Sequence, residues 1–232
     1  MHLRDLPTLN AAYLRDGYLI VTHLFSAAEC DAYKAEAKRI IAEHGRAFST
    51  VYVGAAIISE LFRQMADDAR LVDILSALIP AGVAFMSDKI VFKSNAQQAA
   101  TPWHADAQYW PGTRSKISIW IPLDDVTRDN GTLMVVRGSH LRGWQTEEGA
   151  GINQAGDFNL VVNPEQWARE AEVICEIPRG SAIFFSDKLL HASTPNSTGA
   201  DRYTVISTYQ APVAVEEPFD LHFPARHVIR GA

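Results

Sequence analysis

Apolar positions change their spacing about a third of the way along the chain. Before Pro80 they recur at helical intervals, interrupted by one short run, Gly17-Tyr18-Leu19-Ile20-Val21, that reads as a strand. Ser26-Ala27-Ala28-Glu29 is a capping box: the serine side chain takes an N–H of the first turn and the glutamate returns the bond. It predicts a helix to about His44, with Tyr33, Ala37, Ile40 and Ile41 at helical spacing and Gly45 as its stop. Ile58 to Ile79 predicts one or two further helices, ended by Pro80.

Beyond Pro80 the pattern becomes short runs of β-branched and aromatic residues: Val83–Phe92, Ile117–Leu123, Thr132–Val136, Val173–Ile177, Ala182–Phe185 and Tyr203–Tyr209. Asp129-Asn130-Gly131 marks a turn between two of them. Short strands without intervening helices predict a mainly β protein with a sandwich or barrel-like pair of sheets. Leu141 to Glu172 breaks this rhythm with several glycines and Pro164, so a functional loop is expected there, with a short helix at Gln166–Arg169. The tail from Pro212, containing Glu216-Glu217-Pro218 and Phe223-Pro224, reads as an extended surface wrap. The expected organisation is one domain over residues 1–232: a helical part over about 1–80, a β-core over about 81–210 and a wrap over 211–232.

Composition narrows the partners. The 232 residues are 47% hydrophobic and 21% charged, an ordinary globular balance. A net charge of −6 with no basic run argues against nucleic acid, whose phosphates need a basic face. The two cysteines, Cys30 and Cys175, form no CxxC pair and are expected to be reduced and buried. No apolar stretch reaches the roughly eighteen residues of a membrane span, and MHLRDLPTLN lacks the apolar run of a signal peptide. A cytoplasmic protein with no membrane partner is expected, and oligomeric state has no signal in the sequence.

Chemistry enters with Trp103-His104-Ala105-Asp106. On a strand, residues two apart share a face, so His104 and Asp106 offer an imidazole and a carboxylate together. A second histidine from a distant strand completes the two-histidine, one-carboxylate set that holds iron(II) while leaving positions open. HxD alone arises often by chance, and the bland reading is a strand-end histidine paired with an aspartate. Of His2, His23, His44, His140, His191, His222 and His227, only His191 follows a strand and precedes a basic residue, Arg202, suited to anchoring a carboxylate. Ser193 and Thr204 are placed to add a hydroxyl. Read singly, His191 is a surface histidine and Arg202 a surface partner of Asp201; the combination outweighs that.

Three blocks resemble the phytanoyl-CoA dioxygenase family. They are Trp103-His104-Ala105-Asp106; Ile119-Trp120-Ile121-Pro122-Leu123-Asp124-Asp125 leading to Asn130-Gly131-Thr132 and Arg137-Gly138-Ser139-His140; and His191 through Arg202. The resemblance spans about residues 85 to 210. It implies a double-stranded β-helix, the jelly-roll core of cupin-like folds, with the helices packed on it. It implies that His104, Asp106 and His191 bind Fe(II), and that Arg202 grips 2-oxoglutarate with help from Ser193. O2 is the further co-reactant, and 2-oxoglutarate leaves as succinate and CO2.

Asp106 disfavours halogenation, because halogenating relatives replace this carboxylate by a small residue. Where the family has Pro-Gly-Ser-His this chain has Arg137, and His140 is expected to be structural, bonding within its own loop. The middle residue of HxD, Ala105, removes one polar contact.

Trp120, Thr204, Ser193 and Arg202 are the expected cosubstrate-binding set, and Trp110 and Lys93 the expected substrate-binding residues. Lys89 and Lys93 share strand parity, so one can face a carboxylate inside, although a solvated edge-strand lysine is the bland reading. Trp144 and Gln145 reach the substrate if their loop closes as a lid. The reading is an iron(II)- and 2-oxoglutarate-dependent dioxygenase that hydroxylates, desaturates or cyclises a small organic molecule. Its rivals are a catalytically silent metal- or ligand-binding relative and a cupin-type metalloenzyme that does not use 2-oxoglutarate.

Overall fold

The computed structural model describes residues 6–45, 49–94, 100–110, 114–151, 158–212 and 223–231. The chain opens with α1 (Leu6–Asp16), then β1 (Tyr18–Val21) and α2 (Ala27–His44). The capping box forms: Glu29 N donates to Ser26 Oγ at 3.2 Å and Ser26 N to Glu29 Oε2 at 2.7 Å. Cys30, Tyr33, Ala37 and Ile40 form the buried face of α2.

The helical stretch before Pro80 is three pieces, α3 (Ala55–Ile58), α4 (Glu60–Ala66) and α5 (Ala69–Leu78), preceded by β2 (Val51–Val53). Ser59 takes an extended conformation between α3 and α4. Asp68 restarts the chain as N-cap of α5, accepting from Arg70 N at 2.9 Å.

The β-core follows as β3 (Val83–Lys93), β4 (Thr101–His104), β5 (Lys116–Pro122), β6 (Leu133–Val136), β7 (Glu147–Gly151), β8 (Phe158–Val161), β9 (Glu172–Ile174), β10 (Ala182–Ser186), β11 (His191–Ser193), β12 (Arg202–Gln210) and β13 (His227–Arg230). A seven-stranded antiparallel sheet runs β1-β10-β5-β12-β3-β13, with β2 also on β3. A four-stranded sheet runs β4-β11-β6-β9. The expected jelly-roll core with amino-terminal helices is what forms.

Alternation along each strand divides its residues between two apolar clusters. Ala182 and Phe184 of β10 join the helices, with Ile117, Ile119 and Ile121 of β5. Ile183 and Phe185 point the other way, with Trp120, Leu133 and Val135 between the sheets. Both cysteines are buried and free. Among the described residues no helix is long and apolar enough to cross a membrane.

Two expectations change. The 141–172 stretch contains the β7–β8 hairpin, and two 3-10 turns, Pro164–Gln166 and Arg169–Ala171, replace the short helix. The tail is more than a wrap, since β13 pairs with β3; Glu216-Glu217-Pro218 lies outside the described residues.

Candidate metal centre

Antiparallel pairing of β4 with β11 sets His104 directly opposite His191. Strand β4 ends at His104, so the two HxD ligands do not share a strand. Ala105 is still extended, which carries the alternation on to Asp106, and the chain turns there into a 3-10 turn. The three side chains are buried, and one ligand atom from each lies within 4.8 Å of the others. Asp106 Oδ1 is 3.7 Å from His104 Nε2 and 3.8 Å from His191 Nε2.

The polar neighbours fix which atoms face inward. His104 Nδ1 lies 2.8 Å from the Pro102 carbonyl and His191 Nδ1 3.0 Å from that of Leu189. Each ring therefore donates from Nδ1 and keeps the Nε2 lone pair, the arrangement that orients metal-binding imidazoles. Ser118 Oγ donates to Asp106 Oδ2 at 3.3 Å, leaving Oδ1 for the centre. Burial first, then His191, pushes the His104 pKa down to about 3, and burial lowers that of His191. Burial opposes ionisation of Asp106, yet Lys89, the two histidines and Ser118 together hold it below the usual carboxylate range. Two neutral imidazoles and one carboxylate fit a divalent transition metal that retains open positions.

The ligands line a cavity of about 280 Å³ that also holds Lys89, Lys93, Trp110, Trp120, Ser193 and Arg202. Arg202 is 2% exposed and makes no ion pair with Asp201. Its Nη2 donates to Gly131 O at 2.9 Å, Nε to Asn130 O at 3.3 Å and Nη1 to Thr204 Oγ1 at 2.9 Å. Gly131 has φ +94°, and a Cβ there would lie 2.7 Å from Lys93 Cδ and 3.1 Å from Arg202 Nη2. Only glycine permits both that backbone and that closeness. The Trp120 ring centroid is 5.8 Å from the guanidinium.

Several expected roles are reassigned. Lys93 is no solvated edge residue: β3 is flanked by β12 on one side and by β2 and β13 on the other, and Lys93 is 3% exposed. Its Nζ donates to Ser193 Oγ at 2.8 Å and to the Thr194 carbonyl, and β12 pairs it with Arg202. Its partners are thus Ser193 and Arg202, two residues expected to bind the cosubstrate. Thr204 does not line the cavity; its hydroxyl donates to Val91 O at 3.0 Å and accepts from Arg202, so it positions the arginine.

His140 bonds across to the Leu14 carbonyl of α1, not within its own loop. Its neighbour Ser139 holds Leu190 N at 2.8 Å, immediately before His191. Trp144 donates to Ser139 O and packs on Trp167, and Gln145 pairs with Gln166, so neither lines the cavity. Trp110 does line it. His227 pairs with Asp67 and His44 with Glu43, while His2 and His222 lie outside the described residues. Sequence reasoning missed Ser118, whose signal is a lone polar residue in the apolar run Ile117–Leu123.

The sequence profile of phytanoyl-CoA dioxygenases matches residues 13–204. The chain belongs to the phytanoyl-CoA dioxygenase family. Within its reach, L-proline trans-4-hydroxylase of Streptomyces griseoviridis is 24% identical over 88% of this chain and 86% of its own length. Ectoine dioxygenase of Stutzerimonas stutzeri is 29% identical over 88% of this chain and 77% of its own.

Among solved structures, the epimerase SnoN in complex with Fe3+, α-ketoglutarate and nogalamycin RO superposes with a TM-score of 0.81 at 21% identity, covering 99% of this chain and all of SnoN. EctD from S. alaskensis with 2-oxoglutarate and 5-hydroxyectoine gives 0.73 at 24% identity, over 95% of this chain and 80% of EctD. These likenesses bear out the jelly-roll fold. The family expected from the three motif blocks, and the dioxygenase class with it, stands.

Proposed function

We propose that the chain is an iron(II)- and 2-oxoglutarate-dependent oxygenase that oxidises a small organic metabolite, with hydroxylation as the leading outcome. One observation carries the reading: a triad of neutral imidazoles and a carboxylate shares one buried cavity with a basic pole built from Arg202 and Lys93. His104, Asp106 and His191 would hold the iron. Arg202 and Lys93, with the Ser193 hydroxyl, would hold the distal carboxylate of 2-oxoglutarate. Iron(II) with 2-oxoglutarate supplies oxygen activation, coupled to decarboxylation to succinate.

The chain's own part is positioning. Thr204, Asn130 and Gly131 fix the guanidinium fork, which suits a planar carboxylate. Ser193 Oγ already accepts from Lys93 and from Thr101 N, so its own hydrogen is left to donate to an arriving anion. Trp120 and Leu133 add apolar lining to the same cavity. The hydroxylase and dioxygenase relatives named for proline and ectoine favour a small metabolite over a macromolecule. We also propose that the protein works in the cytoplasm without a nucleic-acid or membrane partner, in keeping with its acidic charge.

Anaerobic addition of iron(II) and then 2-oxoglutarate is expected to give a weak visible charge-transfer band, lost in Arg202→Ala. Oxygen should then produce succinate. No band in the wild-type protein would exclude chelation of 2-oxoglutarate and favour the cupin-type reading. A band without succinate would favour the silent relative.

A further inference from the structure

The inner face of the large sheet carries a second cation that the cosubstrate pole leaves over. Register arranges that face in rows: Lys93 beside Arg202, Val91 beside Thr204, Lys89 beside Ile206 and Trp120, Ser87 beside Thr208 and Ser118. Rows repeat every two residues, about 7 Å, which puts Lys89 roughly 13 Å along β3 from Lys93. Lys93 Nζ is held at its own end by Ser193 and Thr194. Among the described residues the half-buried Lys89 side chain makes no hydrogen bond and no close ion pair, and its charge acts on Asp106 through space. It lines the metal cavity and also an adjoining one of about 150 Å³, bordered by Val53, Ser87, Trp110, Lys116 and Thr208.

That adjoining cavity is cationic and hydroxylated. Lys116 Nζ is steadied by the Arg114 carbonyl at 3.1 Å, with the Trp110 ring centroid 5.8 Å away. Ser118 and Thr208 hydroxyls lie 3.3 Å apart at the boundary with the metal centre. Among the described residues the one carboxylate bordering it, Asp88, sits at the opposite strand parity and accepts the Ala56 N–H at 2.9 Å. A divalent metal on two neutral imidazoles and one carboxylate leaves net positive charge, and Lys89 adds to it. Asp106, on which Lys89 acts through space, is shared with two histidines and the metal, so Lys89 keeps charge with which to pair a ligand anion.

We infer that the substrate carries a carboxylate that pairs with Lys89, its body lying in the adjoining cavity against Trp110. This rests on the oxygenase reading and names its substrate class, a small organic acid. The acid is held at the end of the metal centre opposite the 2-oxoglutarate anchor, so the carbon to be oxidised lies between the two carboxylate sites. Lys89 is thereby a substrate-binding residue and discriminates acids from their neutral analogues.

The test uses zinc-loaded protein saturated with 2-oxoglutarate and a panel of small acids, each paired with its carboxamide, L-proline with L-prolinamide among them. Binding is read from tryptophan fluorescence. At least one acid is expected to bind about tenfold or more tightly than its amide, the worth of one charge-assisted hydrogen bond. Lys89→Met should erase that ratio and Lys89→Arg should keep it.

A panel in which no acid outbinds its amide overturns the assignment. So does a ratio that survives Lys89→Met, and so does one lost equally in Lys89→Arg. A cation that served only to hold Asp106 ionised would alter metal affinity and leave the ratio unmoved. The charge-transfer band of the wild-type protein separates the two readings: with the band present, a failed panel removes the Lys89 assignment alone, and with it absent both fall.

Discussion

Strand β12 has two faces, equally buried and built to opposite rules. Tyr203, Val205 and Tyr209 point to the helices and join a cluster with Phe85, Ile90 and Ile119. Arg202, Thr204, Ile206 and Thr208 point between the sheets, and of these only Ile206 packs with the apolar residues there. The outward face is stabilised by apolar area removed from water, about 25 cal/mol per Å². The inward face buries Arg202 and Lys93 with no ion pair to either among the described residues, and offsets part of that cost with carbonyl and hydroxyl acceptors. One face makes the protein stable. The other holds charge ready for an anion.

The largest effect expected is at the metal. Asp106→Ala removes the triad's only carboxylate, and the charge-transfer band and succinate formation should both fall to background; a band that persists would mean the triad is not the metal site. Next comes Arg202→Met, which leaves an incoming carboxylate without its fork. Loss of a buried charge partner is worth about 2–5 kcal/mol, so the 2-oxoglutarate Kd should rise roughly a hundredfold, as measured by calorimetry on zinc-loaded protein.

The matching change on the outward face is Ile119→Ala, at a fully buried position. It should cost about 2–5 kcal/mol of stability in urea unfolding while the 2-oxoglutarate Kd stays within about twofold. If Ile119→Ala weakens cosubstrate binding as much as Arg202→Met does, the two faces are not separable.

That separation also explains what was legible in the sequence. His104, Asp106, His191 and Arg202 could be found because charge and imidazole at strand ends stand out against apolar runs. Their geometry was less legible: strand β4 stops at His104, and the alternation reaches Asp106 only because Ala105 stays extended. The role of Lys93 depended on whether β3 was an edge, and that was settled by β2 and by β13, a tail strand too short and too polar to announce itself. Ser139 acts through the backbone of Leu190, a contact that no local pattern encodes. Pairing partners far apart in sequence decided each of these roles.

A smaller and more specific effect concerns protons. Burial first, then Arg202, pushes the Lys93 pKa down to about 7. Above that pH the empty protein holds Lys93 mostly neutral, and an arriving carboxylate favours the ammonium. Cosubstrate binding at pH 8 should therefore take up close to one proton, and affinity should be full below pH 7 and fall as pH rises above it. Calorimetry in two buffers of different ionisation enthalpy measures the uptake. Zero uptake at pH 8 would place the anion away from Lys93, and Lys93→Met should abolish the pH dependence.

The smallest effect tests whether the inward hydroxyls belong to the centre or merely fill space. Ser118 reaches Asp106 Oδ2 and Thr208 Oγ1, each at 3.3 Å, so both bonds are long. Removing a group that orients a metal ligand typically costs 10- to 100-fold in metal affinity. With bonds of this length the lower end is expected, about tenfold for Ser118→Ala by competition with a chelator. Stability should change by about 1 kcal/mol or less, because Thr208 also loses a partner and a small void replaces the hydroxyl. The 2-oxoglutarate Kd of metal-saturated protein should not move, since Ser118 lies two rows from Thr204 on the register and away from Arg202. A metal affinity unchanged in Ser118→Ala would assign the orientation of Asp106 to its backbone turn alone. A fall confined to metal affinity would add to the functional face a residue that the apolar run Ile117–Leu123 has no structural reason to carry.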